Sequence, residues 1–532
     1  MTETVAALLD RAVTFPDAEV VMPGERLGFA ELGDRAAAFS RRLLGAGLSR
    51  GARVAFLQPD RLDSLAFLLG AMRVGIVPVP VNGRYKALEL AYVVGHSGAR
   101  LLVVDEPRAA LAGEAALPDA CSVVVGVDEE GFAAGGATVD HETERQAAEQ
   151  VARDDPAIIL YTSGTTANPK GCVYAQSGYA AQAASYAAAG AFRPDDRMWT
   201  PLPFFHVSAI VTLAACLHSG MSLVHVGARF DPDVGVDQLE RERCTIAFPA
   251  FETIWLEILN HPRFDAERIA LHTVINVGTP GSLRRMQEML PTVPQISAFG
   301  GTEYGGFNSL GHRDDPLQAR LETSGHPFPG VELRILDPET GADQPPGKDG
   351  EILMRGPSVF REYYNNPAAT AESVEPEGWF HSGDIGVIED GFLRITDRKK
   401  DLIVTAGGKK SAPQPIENAI KATSRLVSQV VVYGDKRPYC VALVTLSDEA
   451  TKRFGNGTSD GAALATSSEV RAALQKDLDV VNAKLASFEA IKRFAILPHD
   501  LTEATGDLTP KMSVKRKVVT EKYKSVIEAL YR

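Results

Sequence analysis

The sequence lacks the basic excess that binding to nucleic acid requires. Its formal net charge is −13, because 55 lysines and arginines stand against 68 aspartates and glutamates. A phosphate backbone needs a positively charged footprint, so we do not expect nucleic acid to be the main partner. The simpler interpretation of the acidic excess is that it keeps a cytoplasmic protein in solution.

Cysteine is scarce, and the pattern of the cysteines excludes two common uses. The chain has five, namely Cys121, Cys172, Cys216, Cys244 and Cys440, and no two of them form a C-x-x-C pair. Neither a disulfide framework nor a zinc knuckle fits this spacing, so a reducing compartment is expected. The sequence also has no H-E-x-x-H metal motif.

Long apolar runs are missing as well. The run at residues 207–217 covers only 11 residues, whereas a membrane-spanning helix needs roughly 18. The first residues do not show a basic segment followed by an apolar core, so no secretory signal is predicted. We therefore expect a cytoplasmic protein without a membrane span.

The pattern of apolar residues predicts an α/β fold. Continuous apolar runs, as at 53–57 and 273–277, alternate with helical spacing, as at 62–73, which favours mostly parallel sheets covered on both faces. From about residue 331 the apolar residues alternate by two between turn signals, which is typical of an antiparallel region. We predict a large N-terminal body of two α/β sheets plus a small β-barrel-like region, and then a small mobile α+β C-terminal domain.

Residues 161–171, which read YTSGTTANPKG, form the most informative stretch. They follow an apolar run at 157–160, so a buried strand leads into a loop rich in glycine and hydroxyl groups with one lysine. Such a loop can hold phosphate through backbone N–H groups, hydroxyls and positive charge. It is not a Walker A motif, because Pro169 replaces the second glycine and Gly171 follows the lysine.

Six further strings follow in order. They are PLPFFH at 201–206, FGGTE at 299–303, GWFHSGD at 378–384, DRKKD at 397–401, TAGG at 405–408 and TPKMSVK at 509–515. Together with the loop they resemble the motifs of the adenylate-forming superfamily, which includes acyl-CoA synthetases, firefly luciferase and nonribosomal adenylation domains. The resemblance extends over nearly the whole chain. It implies an adenylation domain at 1–397, a hinge at 398–400 and a mobile domain at 401–532.

The resemblance implies a two-step reaction with ATP, Mg2+ and CoA as cofactors. A carboxylate attacks the α-phosphate of ATP to give an acyl-adenylate, and a thiol then displaces AMP. Charge builds up on the α-phosphate, so fixed donors and cations are expected there. The implied ATP-binding residues are Thr162, Ser163, Gly164, Thr165, Thr166, Lys170, Gly278, Thr279, Phe299, Gly300, Thr302, Asp384 and Arg398.

Individual roles follow from the same resemblance. Thr302 is expected at the α-phosphate and Glu303 at Mg2+, a cation that takes carboxylate and phosphate oxygens. Phe299 stands where relatives usually have tyrosine and is expected to stack on adenine. Asp384 is expected to accept hydrogen bonds from the ribose hydroxyls, although a Gly-Asp turn would explain it structurally. Glu303 has a similar structural alternative, an acid at a helix N-terminus.

The later motifs imply a lysine, a hinge and a thiol tunnel. Lys515 is the predicted catalytic lysine, although valine precedes it where relatives have glycine, and Lys511 and Lys517 compete for the role. Lys400 is the predicted hinge. Gly407 and Gly408 are expected to line the tunnel for the thiol. Lys409 and Lys410 follow them, and two cations there would favour an anionic thiol carrier.

The acyl pocket is predicted from the second motif and nearby apolar residues. By resemblance, His206 acts near the carboxylate as a conformational gate, although a histidine beside two phenylalanines can also be a packed structural one. The predicted lining is His206, Phe248, Phe251 and Gly301, with Trp255 as a further candidate. Glycines at 300–301 and 305–306 are expected to leave space there. The aromatic residues could equally belong to the core.

The predicted function is an acyl-CoA synthetase for a sizeable apolar carboxylic acid. A fatty acid is the first expectation, and an aromatic or polycyclic acid is the alternative. A second possibility within the same chemistry is a ligase that loads a carrier protein in trans, because the sequence shows no carrier domain. An inactive nucleotide-binding or regulatory homologue is the alternative of another class. The sequence does not indicate an oligomeric state.

Overall fold

The structure is a computed structural model that describes residues 4–162, 168–406, 409–455, 461–502, 504–508 and 514–532. Its first part contains a parallel sheet with the strand order β4-β3-β5-β6. The elements are α1 (Val5–Ala12), β1 (Glu19–Met22), β2 (Glu25–Gly28), α2 (Phe29–Gly45), β3 (Arg53–Leu57), α3 (Leu62–Arg73), β4 (Val77–Pro80), α4 (Ala87–Ser97), β5 (Leu101–Val104), α5 (Glu106–Glu114), β6 (Ser122–Val125), α6 (Glu130–Ala137) and α7 (His141–Glu149). The strand and helix predicted at 53–57 and 62–73 match β3 and α3 residue for residue.

The second part builds a larger sheet with the order β15-β14-β13-β12-β11-β9-β10-β1-β2. Its elements are β7 (Pro156–Tyr161), β8 (Gly171–Ala175), α8 (Gln176–Ala189), β9 (Arg197–Thr200), α9 (Val207–Ser219), β10 (Ser222–His225), α10 (Pro232–Arg241), β11 (Ile246–Ala250), α11 (Glu252–Leu259), β12 (Thr273–Asn276), α12 (Pro280–Met289), β13 (Gln295–Phe299), a 3₁₀ turn (Thr302–Tyr304), β14 (Ser309–Leu310), α13 (Leu317–Glu322) and β15 (His326–Pro327). The central strands from β13 to β1 are parallel. The predicted α/β body is confirmed.

The antiparallel region predicted after residue 331 is also confirmed. Its elements are β16 (Glu332–Leu336), β17 (Gly350–Arg355), β18 (Glu362–Tyr363), α14 (Pro367–Ser373), β19 (Phe380–Glu389) and β20 (Phe392–Arg398). Strands β16-β17-β19-β20 form an antiparallel sheet. Strand β18 instead pairs with β8, in a sheet of order β18-β8-β7, and so brings this late segment to the end of the predicted phosphate loop.

The C-terminal part mixes helices with short sheets around buried residues of its own, such as Ile416, Val430, Leu474 and Phe494. Its elements are a 3₁₀ turn (Lys399–Asp401), β21 (Ile403–Val404), β22 (Lys410–Ser411), α15 (Pro413–Thr423), β23 (Val427–Tyr433), β24 (Cys440–Leu446), α16 (Asp448–Phe454), α17 (Gly461–Thr466), α18 (Ser468–Asn482), β25 (Ile491–Ile496), α19 (Arg516–Lys522) and α20 (Lys524–Ala529). The α+β character is as predicted. The domain boundaries and the mobility stay predictions.

Helices that could cross a bilayer were sought among the described residues. None of the helices there is both long enough and apolar enough to do so.

Candidate active site

Two of the predicted motifs and the predicted ATP-binding residues Gly278 and Thr279 lie at the carboxyl ends of parallel strands in the large sheet. The segment 201–206 follows β9, residues 277–279 follow β12, and residues 300–303 follow β13. Neighbouring parallel strands end at the same edge of a sheet, and this edge is where open α/β sheets bind ligands. The topology thus brings together motifs that are far apart in the sequence.

The predicted phosphate loop connects two antiparallel strands, β7 and β8. The base of the loop is closed by two hydrogen bonds: the amide of Thr162 donates to the carbonyl of Lys170 over 2.9 Å, and the amide of Lys170 donates to Oγ1 of Thr162 over 3.4 Å. Ser163, Gly164, Thr165 and Thr166 lie outside the described residues. The closed base fixes where Lys170 leaves the loop.

Tyr363 lies between Lys170 and Glu303. Its hydroxyl donates to Oε1 of Glu303 over 2.9 Å, and the ammonium of Lys170 lies 4.1 Å from the centroid of its ring. Tyr363 is 3% exposed, and burial, with the nearby charge of Glu303, raises its pKa. Sequence reasoning missed this residue, because β18 is only two residues long and gives no periodic signal.

The turn that carries Thr302 and Glu303 is built on close backbone contact. A Cβ atom at Gly300 would lie 1.7 Å from the carbonyl oxygen of Gly306, and one at Gly301 would lie 2.6 Å from the ring of Tyr304. These glycines therefore serve tight packing, which corrects the expectation that they leave open space. Thr302 and Glu303 are half-buried in the 3₁₀ turn that follows.

Asp384 and Arg398 meet in the antiparallel sheet, where they are paired in register on β19 and β20. Nε of Arg398 lies 3.1 Å from Oδ1 of Asp384. Burial raises the pKa of Asp384 to about 6, and the positive charge of Arg398 keeps it from rising further. Phe299, which is 8% exposed, packs its ring 5.3 Å from the ring of Tyr304. Tyr304 is a second residue that sequence reasoning missed.

Gly278 and Thr279, two of the predicted ATP-binding residues, lead into α12. Oγ1 of Thr279 accepts a hydrogen bond from the amide of Ser282, so this hydroxyl caps the helix. Gly278 is exposed, and a Cβ atom there would meet nothing closer than 3.6 Å. Backbone at this exposed position is open to a ligand, whereas the threonine hydroxyl already has a structural partner.

His206 is the N-cap residue of α9 and is half-buried. The segment before it is anchored by Asp60, whose Oδ1 accepts the amide hydrogen of Phe204 over 3.1 Å. Burial raises the pKa of Asp60 to about 7. No sequence motif pointed to Asp60, which follows β3 in the other parallel sheet.

The aromatic candidates for the acyl pocket divide between two cores. Phe248 is fully buried and packs edge-on against Phe307, with centroids 5.1 Å apart. Phe251 is only half-buried and follows β11. Trp255 is fully buried in another cluster, where it packs against Trp199. Full burial of Phe248 and Trp255 favours the alternative that both belong to the core, and Phe251 is left as the partly exposed aromatic candidate.

The hinge and the C-terminal candidates lie beyond β20. Lys400 is exposed in the 3₁₀ turn Lys399–Asp401. Lys515 is half-buried, precedes α19 and donates its amide to the carbonyl of Asp507 over 2.8 Å. Lys517 is exposed. Gly407, Gly408 and Lys511 lie outside the described residues.

A divalent cation would find one side-chain ligand here. The described residues contain no group of three or more His, Cys, Asp or Glu side chains arranged to hold a metal ion. Glu303 has one oxygen engaged by Tyr363, and no hydrogen bond of the described residues occupies the other. Mg2+ is commonly bound by one or two carboxylates together with substrate phosphates, so the residues fit Mg2+ delivered with a nucleotide.

Family models match both parts of the chain. Residues 8–364 match the family model described as AMP-binding enzyme, and residues 400–532 match that of the AMP-binding enzyme C-terminal domain. The chain belongs to the family of AMP-binding enzymes. The predicted resemblance to the adenylate-forming superfamily is confirmed.

Relatives of this AMP-binding enzyme include CoA ligases. The long-chain-fatty-acid–CoA ligase FadD15 of Mycobacterium tuberculosis is 32% identical, with 94% of this chain and 92% of that protein covered. Feruloyl-CoA synthase of an Amycolatopsis species is 30% identical, with 77% of this chain and 81% of that protein covered. The enzyme thus stands among the acyl-CoA synthetases, which are ATP-dependent acid–thiol ligases.

Solved structures agree on the fold. The ATP-bound crystal structure of MatB from Rhodopseudomonas palustris superposes with a TM-score of 0.82 at 26% identity, and the match covers 99% of this chain and 100% of that one. ATP use is therefore supported by a neighbour that matches over the whole length of the chain.

Proposed function

We propose that this AMP-binding enzyme converts a sizeable apolar carboxylic acid, ATP and CoA into acyl-CoA, AMP and pyrophosphate. The observation that carries the proposal is the convergence of Lys170 and Glu303 on Tyr363. A cation from the phosphate loop and a carboxylate from the FGGTE motif lie on either side of one side chain. Both groups are needed around a triphosphate and its metal ion.

In the first step the carboxylate oxygen of the acid forms a bond to the α-phosphorus, and the bond from that phosphorus to pyrophosphate breaks. Thr302 and Lys515 would donate to the oxygens on which charge builds up. Asp384 would accept hydrogen bonds from the ribose, and Phe299 would stack on adenine. A bound Mg2+ supplies charge neutralisation on the phosphates, and Glu303 is the residue that would hold it.

In the second step the sulfur of the CoA thiol forms a bond to the acyl carbon, the bond from that carbon to the phosphate oxygen of AMP breaks, and the thiol proton is released to solvent. We propose that the part of the chain after the hinge at 398–400 rotates between the two steps, so that Gly407 and Gly408 replace Lys515 at the site. Few residues need to change conformation for such a rotation. The exposed position of Lys400 supports this role.

The acid is proposed to be apolar and large because Phe251, a half-buried aromatic residue that packs against the apolar core, directly follows β11 at the same edge of the large sheet as the other site segments. A fatty acid is the first candidate, because the relative FadD15 is named as a long-chain-fatty-acid–CoA ligase. An aromatic or polycyclic acid is the alternative. It is supported by feruloyl-CoA synthase and by a CoA ligase of M. tuberculosis named for an octahydroindenyl-propanoyl group, which is 33% identical with 81% of this chain and 85% of that protein covered.

A panel of carboxylic acids tests the proposal. With hydroxylamine as the trap, pyrophosphate release that depends on the added acid is expected, and CoA should replace hydroxylamine as the acceptor. Failure to release pyrophosphate with every acid would contradict the proposal and favour an inactive homologue. Turnover with a carrier protein but not with CoA would favour the carrier-loading alternative. Lys409→Ala should weaken CoA binding at low salt if this exposed cation contacts the phosphates of CoA.

A further inference from the structure

Tyr363 contacts two groups of opposite charge with two different parts of its side chain. The hydroxyl donates to Oε1 of Glu303 over 2.9 Å, and the ring face receives the ammonium of Lys170 at 4.1 Å from its centroid. The ring is 3% exposed, so both contacts are made largely away from water. A charged hydrogen bond and a cation–π contact are both strengthened by such burial.

The backbone around Tyr363 is fixed to both partners. Tyr363 pairs with Cys172 in the register of β18 and β8, and the amide of Tyr364 donates to the carbonyl of Gly171 over 2.7 Å. Gly171 directly follows Lys170. On the other side, the amide of Phe360 donates to the carbonyl of Glu303 over 2.8 Å. The segment therefore sets the distance between the end of the phosphate loop and the 3₁₀ turn.

A lysine and a glutamate this close to one ring could instead bind each other. No ion pair of the described residues joins Lys170 to Glu303. A direct pair would neutralise the two charges and engage the carboxylate oxygens that a cation needs. Tyr363 uses only one oxygen of Glu303, and its ring attracts the ammonium without taking any of the three N–H donors in a conventional hydrogen bond.

We propose that Tyr363 is a positioning residue that keeps Lys170 and Glu303 apart and orients them, so that the ammonium serves the phosphates and the carboxylate serves the divalent cation. This inference rests on the proposed function, because it takes Glu303 as the metal-binding residue. The hydroxyl and the ring of Tyr363 are expected to have different effects. The hydroxyl governs metal-dependent binding, and the ring governs the contribution of Lys170 to binding of the triphosphate itself.

Calorimetric titration of α,β-methylene-ATP at a series of Mg2+ concentrations tests how the hydroxyl of Tyr363 contributes to metal-dependent binding, without turnover. Tyr363→Phe keeps the ring and removes the donor. We expect it to raise the Mg2+ concentration for half-maximal binding about tenfold, the low end for a hydrogen bond to a charged group, and to leave metal-free affinity unchanged. Tyr363→Leu removes both contacts, and it should also weaken metal-free binding about threefold.

Tyr364→Phe is the matched control, because Tyr364 is the adjacent tyrosine and packs against His96 at 6.0 Å rather than against Glu303. It should behave like the wild type. An unchanged Mg2+ requirement in Tyr363→Phe, or an equal shift in Tyr364→Phe, would overturn the inference. Glu303→Gln separates a failure of this inference from a failure of the proposed function. If this variant leaves the Mg2+ requirement unchanged, the metal-binding role of Glu303 is wrong, whatever the Tyr363 variants show.

A variant that fails to fold does not end the test. 3-Fluorotyrosine placed at position 363 keeps the hydroxyl and the shape of the ring. Its fluorine resonance should shift when Mg2+ is added in the presence of α,β-methylene-ATP, because Glu303 then shares its charge with the cation. A resonance that does not respond to Mg2+ under saturating nucleotide would overturn the inference.

Discussion

Arg398 and Asp384 form an ion pair in which Nε of the guanidinium lies 3.1 Å from Oδ1 of the carboxylate. The pair joins the last residue of β20, where the predicted hinge begins, to a nearly buried acid on β19. Both residues are proposed to bind the nucleotide. The carboxylate that would meet the ribose is therefore held by a cation whose backbone leads directly into the hinge.

The ionisation of Asp384 gives a prediction for the pH dependence of ATP use. Burial raises the pKa of Asp384 to about 6, so the carboxylate is mostly ionised at pH 7.5 and mostly protonated at pH 5. A protonated acid loses an acceptor for the ribose hydroxyls. We expect the KM for ATP to rise about tenfold between pH 7.5 and pH 5, following the ionised fraction.

Asp384→Asn is the control for this profile. It should bind ATP weakly at every pH and show no change in KM over the same range, because the amide does not titrate. A wild-type KM that stays constant from pH 7.5 to pH 5 would contradict the assignment of Asp384 to the ribose.

The choice among the three C-terminal lysines gives a second prediction. Lys515→Ala should slow adenylation about 100- to 1,000-fold, the usual loss for one donor to a developing negative charge. Thioester formation from supplied acyl-adenylate should be nearly unchanged, because this step does not use the lysine. Pyrophosphate exchange and single-turnover thioesterification measure the two steps separately.

Two neighbouring lysines are the controls for Lys515. Lys517 is exposed, so Lys517→Ala should leave both steps unchanged. A large loss of adenylation in Lys511→Ala combined with an active Lys515→Ala would move the assignment to Lys511.

The apolar periodicity and the motifs predicted the elements that carry the site. They did not predict the long-range contacts between those elements. The apolar run at 53–57 and the helical spacing at 62–73 needed no distant partner, so β3 and α3 could be read from local pattern. Tyr363 could not, because its role depends on Glu303, 60 residues away, and on strand pairing with β8. A two-residue strand carries no local signal for that pairing.

Gly300 and Trp255 show a different limit of sequence reasoning. A glycine pattern indicates that a Cβ atom is excluded, but the reason at Gly300 is a carbonyl oxygen of Gly306 rather than space for a substrate. An apolar residue on a helix indicates a buried face, but it does not say which of two cores that face joins. Trp255 joins the cluster that contains Trp199.

The position of Trp255 gives a third prediction. Trp255→Ala should destabilise the protein by about 3–5 kcal/mol, as expected when a large buried aromatic side chain is removed, and should leave the order of preferred acids unchanged. Phe251→Ala should do the reverse, with a smaller loss of stability and a changed order of acids, because Phe251 is half-buried at the site edge. Denaturant unfolding and the acid panel measure the two effects. A changed acid order in Trp255→Ala would return this residue to the pocket.

The last prediction concerns a buried ion pair in the C-terminal part. The guanidinium of Arg516 binds the carboxylate of Glu417, which also accepts the amide hydrogen of Val432 over 2.7 Å. Glu417 lies on α15, whose first turn is held by Asp397 through the amide of Gln414 at 2.9 Å. Arg516→Met should therefore leave an unpaired buried carboxylate and destabilise this part by about 3–5 kcal/mol.

Removing both charges is the informative comparison. The double variant Glu417→Leu with Arg516→Met should recover much of the lost stability, because no uncompensated charge then stays buried. Hydrogen exchange of α15 and β23 should report the loss and the recovery, while exchange in the large parallel sheet stays unchanged. If Arg516→Met alone left the exchange of α15 unchanged, the pair would contribute nothing to the C-terminal core. The hydrogen bond from Gln414 to Asp397 would then be the stronger anchor of this helix.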